Sequence, residues 1–97
     1  ALEEVAGRVE IIDVREANEY SGALGHIRDA KLIPLGELKQ RAGEISRDKP
    51  VVAVCRSGAR SAQAVVLLQK EGLRDIANLH GGMLRWRAEG CPVEGEN

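Results

Sequence analysis

Apolar positions along the chain fall into short blocks, separated by polar segments that contain glycine or proline. Val9, Ile11, Ile12 and Val14 form the first block and predict a strand over residues 9–14, ending around Asp13 and Arg15. Residues 16–21 have a helical composition and are stopped by Gly22. Residues 31–33 read as a second short strand, closed by Pro34. Leu38, Ala42 and Ile45 then recur at i, i+4 and i+7, one face of an amphipathic helix. Val51–Val54 is continuously apolar, the pattern of a parallel strand buried on both faces. Residues 59–71 read as a helix rich in Ala, Val and Leu, with Gly72 placed to end it. A fourth strand is predicted over residues 76–79. Gly81 and Gly82 follow, then a last helix over 83–89 carrying Leu84 and Trp86.

Strands alternating with helices imply an α/β domain. The expected architecture is a single small domain over residues 1–97. Its mainly parallel sheet has four or five strands, with helices on both faces and right-handed crossovers. Only residues 94–97 read as an unstructured, flexible tail. In such sheets ligands bind beyond the carboxyl ends of the strands. Asp13, Arg15, Cys55, Gly81 and Gly82 all follow strand ends, so they are expected along one edge.

Composition narrows the options. Hydrophobic residues make up 43% and charged residues 30% of the 97, a globular balance. Phe is absent, so the core must come from Leu, Ile, Val and Ala. A formal net charge of −1 gives no reason to expect nucleic acid or a membrane surface as partner. Cys55 and Cys91 are too few for a disulfide framework, and no Cys/His spacing suggests a zinc site. No secretory signal or bilayer-length apolar run is visible, which favours a cytoplasmic location. The chain starts at Ala1 without Met, as an excised domain or processed fragment would.

The candidate chemistry centres on Cys55. It ends the Val51–Val54 run, and Arg56, Ser57, Gly58, Ala59, Arg60 and Ser61 lead from it into the next helix. A helix N-terminus presents unpaired N–H groups and partial positive charge. Together with Arg56 and Arg60 it favours the thiolate, the reactive form of cysteine. Consecutive N–H groups in such a loop also form an anion-binding nest. The bland reading is a buried packing cysteine. That role does not call for two arginines, a serine and a glycine directly afterwards, so the reactive reading is preferred.

Four segments carry a family resemblance over nearly the whole chain. They are Asp13-Val14-Arg15 with Glu19-Tyr20, and Gly25-His26-Ile27 followed by Ala30 and Ile33-Pro34. The others are Cys55-Arg56-Ser57-Gly58-Ala59-Arg60-Ser61, and Leu79 with Gly81-Gly82 and Trp86. In this order they resemble the rhodanese-like, single-domain sulfurtransferase family. Residues 20–25 are longer than the usual spacing, and Arg28-Asp29 replaces a common Pro-Gly. Both departures fall in a connecting loop, where insertions are tolerated. The leading strand often found in the family is not evident before Leu2.

The resemblance implies a two-step transfer. Cys55 would take the sulfane sulfur of thiosulfate or a persulfide donor and pass it to cyanide, a small thiol or a protein cysteine. Residues 56–61 would bind the substrate through backbone N–H groups, with Arg56 and Arg60 attracting the anion. No metal or organic cofactor is implied. The domain would be fused to, or docked on, a larger enzyme.

Other polar residues read as structural. Asp13 and Arg15 suit a pairing at the strand end, with Arg15 also able to meet Glu16 or Glu19. His26 suits a loop-ordering hydrogen bond, and His80 has less support for any role. Trp86 suits packing behind Gly81 and Gly82, which permit close approach or positive φ. Cys91, in Glu-Gly-Cys-Pro without basic neighbours, reads as structural or incidental, or as a resolving thiol. Two other functions compete. A cysteine-dependent phosphatase or arsenate reductase uses a similar loop, but tyrosine-type phosphatases have Cys-x5-Arg, whereas here Arg60 makes Cys-x4-Arg. A non-catalytic interaction module would be favoured if the cysteine were missing.

Overall fold

A computed structural model of the chain describes residues 8–96. The segment before Leu2, where no leading strand is expected, and the end of the tail at Asn97 lie outside the described residues. Four strands form a wholly parallel sheet in the order β2-β1-β3-β4. They are β1 (Glu10–Asp13), β2 (Lys31–Leu32), β3 (Val51–Val54) and β4 (Ile76–Asn78). The central pair is in register from Glu10 beside Val51 to Asp13 beside Val54. Strand β3 matches its expected bounds, and the other three expected strands over-run their observed ends by one residue. That residue still pairs: Val14 N–H donates to Val54 C=O, Ile33 N–H to Asp13 C=O and Leu79 N–H to Ala53 C=O, each at 2.9 Å.

The connections carry α1 (Ala17–Tyr20), α2 (Leu38–Arg41), α3 (Ala59–Lys70) and α4 (Gly82–Ala88). The amphipathic stripe of Leu38, Ala42 and Ile45 is buried as expected. The helix under it is broken, however, into 3₁₀ turns at Leu35–Glu37 and Ala42–Glu44 around a single α-turn. Gly36 and Gly43 stand in those turns, where helix propensity is low.

Strand alternation divides the core. Ile12, Val51 and Ala53 face Leu38, Ala64 and Leu68 of α2 and α3. Ile11 and Val54 face Met83 and Trp86 of α4, with Ile27, Ala30 and Tyr20. The sheet is therefore covered on both faces, as a parallel sheet requires. Among the described residues no helix is long and apolar enough to cross a membrane. One expectation needs correction. Glu94, assigned to an unstructured tail, is anchored as an antiparallel bridge: His26 N–H donates to Glu94 C=O, and Glu94 N–H to His26 C=O, both at 2.9 Å.

Candidate active site

Cys55 follows the last residue of β3 and is 1% exposed. The chain turns through Arg56 and Ser57 to Gly58, the N-cap of α3. This turn aims donors at the sulfur. Gly58 N–H lies 3.1 Å from Sγ, and the Ser61 hydroxyl 3.4 Å. Burial pushes the Cys55 thiol up. The Ser61 hydroxyl and the backbone N–H groups of Ser61, Gly58 and Ser57 outweigh it, and the net shift is downward. The thiol is shifted in the expected direction; hydrogen bonds are the largest downward contributions, and Arg60 also interacts electrostatically with Cys55.

The carbonyls of the loop are held on the opposite side. At the start of α4, Met83 N–H donates to Cys55 C=O at 2.9 Å and Leu84 N–H to Arg56 C=O at 3.0 Å. The loop thus lies between two helix N-termini. One takes its carbonyls, and the other turns N–H groups toward Sγ. Gly82 makes this approach possible: a Cβ there would stand 2.5 Å from Cys55 O and 2.6 Å from Arg56 O. The close approach expected at Gly81 and Gly82 is met, and Trp86 packs behind them with its indole N–H on Pro92 C=O.

Asn78, at the end of β4, is a site residue that sequence reasoning missed. Its Nδ2 donates to Gly58 C=O at 3.1 Å, which orients Oδ1 toward the Ser61 hydroxyl. Ser61 has one proton and three acceptors in reach: Asn78 Oδ1, Gly58 C=O and Cys55 Sγ. A charged sulfur is the strongest of these acceptors. The only signal in the sequence was an amide at a strand end just before the Gly-Gly turn.

Two ion pairs frame the site. Arg15, 1% exposed, holds Asp13 through Nε (2.9 Å) and Nη2 (2.7 Å). It also donates to Gly25 C=O and Glu19 C=O, so it pairs with the neighbouring carboxylate of Asp13 rather than with those of Glu16 or Glu19. Arg60 was expected to face an incoming anion. Its guanidinium instead lies bidentate on Glu19, at 2.7 and 2.8 Å. That contact is the main reason the Glu19 carboxyl is held down to about 2. Arg56 is exposed and, among the described residues, has no carboxylate partner. It lines a cleft of about 300 Å³ with Arg15, Asn18, Glu19, Gly22, Ala23 and Leu24. His26 orders the loop as expected: Nδ1 is 2.9 Å from Tyr20 C=O, and its ring stacks on Tyr20 at 3.7 Å. His80 is exposed, and Cys91, half-buried, packs with the α4 side of the core.

The fold and site define a class of parallel α/β domains with a hydrogen-bonded cysteine held between two helix N-termini. Within that class the chain belongs to the family described as Rhodanese-like domain, which matches residues 2–89. It is 48% identical over 79 residues to the uncharacterized protein YqhL of Bacillus subtilis, covering 81% of this chain and 61% of that protein. It is 40% identical over 83 residues to a protein of Allochromatium vinosum named sulfurtransferase, covering 86% and 76% respectively. The structure of a rhodanese-related protein from Thermoplasma volcanium superposes with a TM-score of 0.88 at 37% identity, over 98% of this chain and 92% of that one. In other matched relatives this chain corresponds to a minor part of a longer protein.

Proposed function

We propose that this domain is a sulfurtransferase that works through a persulfide on Cys55. The observation carrying the reading is the buried Cys55 sulfur facing the Gly58 N–H and the Ser61 hydroxyl at the N-terminus of α3. In the first step the Cys55 thiolate attacks the outer sulfur of thiosulfate. The new S–S bond forms as the old one breaks, and sulfite leaves with the electron pair. With a persulfide donor a thiolate leaves instead. In the second step an acceptor nucleophile attacks the terminal sulfur of the Cys55 persulfide and the Cys55 thiolate departs. Cyanide would leave as thiocyanate, and a small thiol or protein cysteine as a persulfide. Each step exchanges one S–S or S–C bond for another, with no net electron change. Ser57, Gly58, Ala59 and Ser61 contribute loop N–H groups for the anionic sulfur, and the Arg56 side chain stands at the mouth. The name of the Allochromatium relative supports the reaction class. The longer relatives support a domain that is fused to, or docks on, a larger enzyme supplying or consuming the sulfur.

The phosphatase alternative is disfavoured by Arg60, which is one position early and turned onto Glu19. Intact-protein mass spectrometry after thiosulfate treatment tests the reading. One added sulfur is expected on the wild type and on Cys91→Ser, and none on Cys55→Ser. Robust aryl-phosphatase turnover with no persulfide would overturn it.

A further inference from the structure

We propose that Glu19 is a specificity-determining residue: by occupying Arg60 it leaves one cation at the mouth and directs the site toward thiol-borne persulfides over dianionic thiosulfate. The proposal rests on the sulfurtransferase reading and concerns which donor that site takes.

The argument is a count of local charge. Four charged side chains surround the cleft floor and the loop behind it, and they cancel in two pairs. Arg15 is neutralised by Asp13 in a buried contact. Arg60 is neutralised by Glu19 in a two-point contact, the geometry in which guanidinium and carboxylate bind best. Of the two arginines between Cys55 and Ser61, only Arg56 retains an unbalanced charge among the described residues. Thiosulfate brings two negative charges toward a thiolate that already carries one. A single exposed arginine offsets that repulsion weakly, because exposed charges are well screened. A persulfide on an uncharged thiol brings at most one charge.

Glu19 is also placed to resist exchange with a small anion. Its backbone carbonyl accepts from Arg15 Nη1 at 3.2 Å, and its Oε1 accepts from Glu16 N–H at 3.1 Å. Arg60 and Glu19 are both about one-third exposed or less (34% and 28%). A donor anion would therefore have to displace a carboxylate that is covalently tethered and anchored at two further points. With its carboxyl held down to about 2, Glu19 stays ionised throughout the working pH range.

The donor step that Glu19 would favour balances simply. Cys55 thiolate attacks the outer sulfur of R–S–SH. The S–S bond of the donor breaks, R–S⁻ leaves, and Cys55–S–SH remains.

The experiment measures the rate of sulfur addition to Cys55 by intact mass, with thiosulfate and with hydroxyethyl persulfide, in each variant. Using the ratio of the two rates cancels general damage to the loop. Glu19→Gln is expected to raise the thiosulfate-to-persulfide ratio on the order of tenfold, the size of one recovered charge-assisted contact. Arg56→Met is expected to lower the ratio by a smaller factor, about two- to fivefold, because its charge is exposed and screened. The double variant Glu19→Gln with Arg60→Met, which removes the pair without stranding either charge, should hold the ratio within about twofold of wild type, since one charge-assisted contact to thiosulfate alone would shift it more. An unchanged ratio in Glu19→Gln, with its circular dichroism intact, overturns the proposal. So does a double variant that keeps the raised ratio of Glu19→Gln, because the gain would then not come from a freed Arg60. If wild type gains no sulfur from either donor, the sulfurtransferase reading fails and this proposal with it.

Discussion

At the scale of single residues, Cys55 shows how far a motif can be read and where it stops. Its place after β3 and its ionised preference were legible in the order of apolar run, loop and helix. The cause of that preference was not. Sequence suggested Arg56 and Arg60, because charge is visible in one-letter code. Hydrogen-bond direction is not visible there, and the largest downward contributions to the thiol come from Ser61, Gly58 and Ser57. Ser61→Ala removes the hydroxyl contribution and leaves burial, which acts upward. The alkylation midpoint of Cys55 is therefore expected to rise above that of wild type. The sign is fixed, since losing a donor to the charged form disfavours that form. A pH series of alkylation rates measures it, and an unchanged midpoint would remove Ser61 from the account. Asn78→Leu should move the midpoint less than Ser61→Ala, because it frees the Ser61 proton for Sγ, which acts downward, while releasing the Gly58 carbonyl that holds the loop.

At the scale of elements, the order of strands and helices was legible because each apolar block was bounded by a polar or Gly/Pro break. Boundaries were off by one residue where backbone pairing outlasts regular strand geometry, at Val14, Ile33 and Leu79. The stripe of Leu38, Ala42 and Ile45 identified the buried face correctly. It could not show that the helix under that face is interrupted, because periodicity reports which side is apolar and not whether the turns are α or 3₁₀. The docking of α4 onto the cysteine loop was the hidden element-level fact, with only the Gly81-Gly82 pair to hint at it. Gly82→Ala tests it. The new methyl would meet two carbonyl oxygens of the loop, on a backbone with φ of +57. Gly90→Ala is the control, at φ +74 with nothing within 4 Å. Both should lose about 1–2 kcal/mol in thermal unfolding from the left-handed backbone, and Gly82→Ala more than that because its methyl meets loop backbone. Only Gly82→Ala should also lose sulfur transfer, by more than about tenfold, because a 1 Å misplacement of reacting groups can cost two orders of magnitude. Equal activity in the two variants would mean that α4 does not set the loop.

At the scale of the whole molecule, the site and the fold share one buried contact, Asp13 with Arg15. Sequence reading assigned this pair to structure, and the geometry shows why structure and site cannot be separated here. Asp13 ends a central strand, and Arg15 reaches from it to Gly25 C=O at 2.7 Å and Glu19 C=O at 3.2 Å. One guanidinium thus joins the sheet to α1 and to the loop that carries His26, itself bridged to Glu94 near the chain end. The anchoring of that end had no signature in the sequence, since a two-residue backbone bridge needs no particular side chain. Asp13→Asn should leave Arg15 buried and uncompensated, at a cost of about 3–5 kcal/mol. A double replacement by apolar residues often restores stability at a simple buried pair. Here it should not, because Asp13→Leu with Arg15→Leu also strips the Arg15 donor from the Gly25 carbonyl, at roughly 1–3 kcal/mol if left unsatisfied, whereas the Glu19 carbonyl keeps the Gly22 N–H. Urea unfolding of the single and double variants measures both losses, with an unchanged slope showing that the unfolded state is the same. A double variant as stable as wild type would show that the Gly25 carbonyl finds another donor. The link from sheet to α1 would then rest on packing and on the Glu19–Arg60 ion pair.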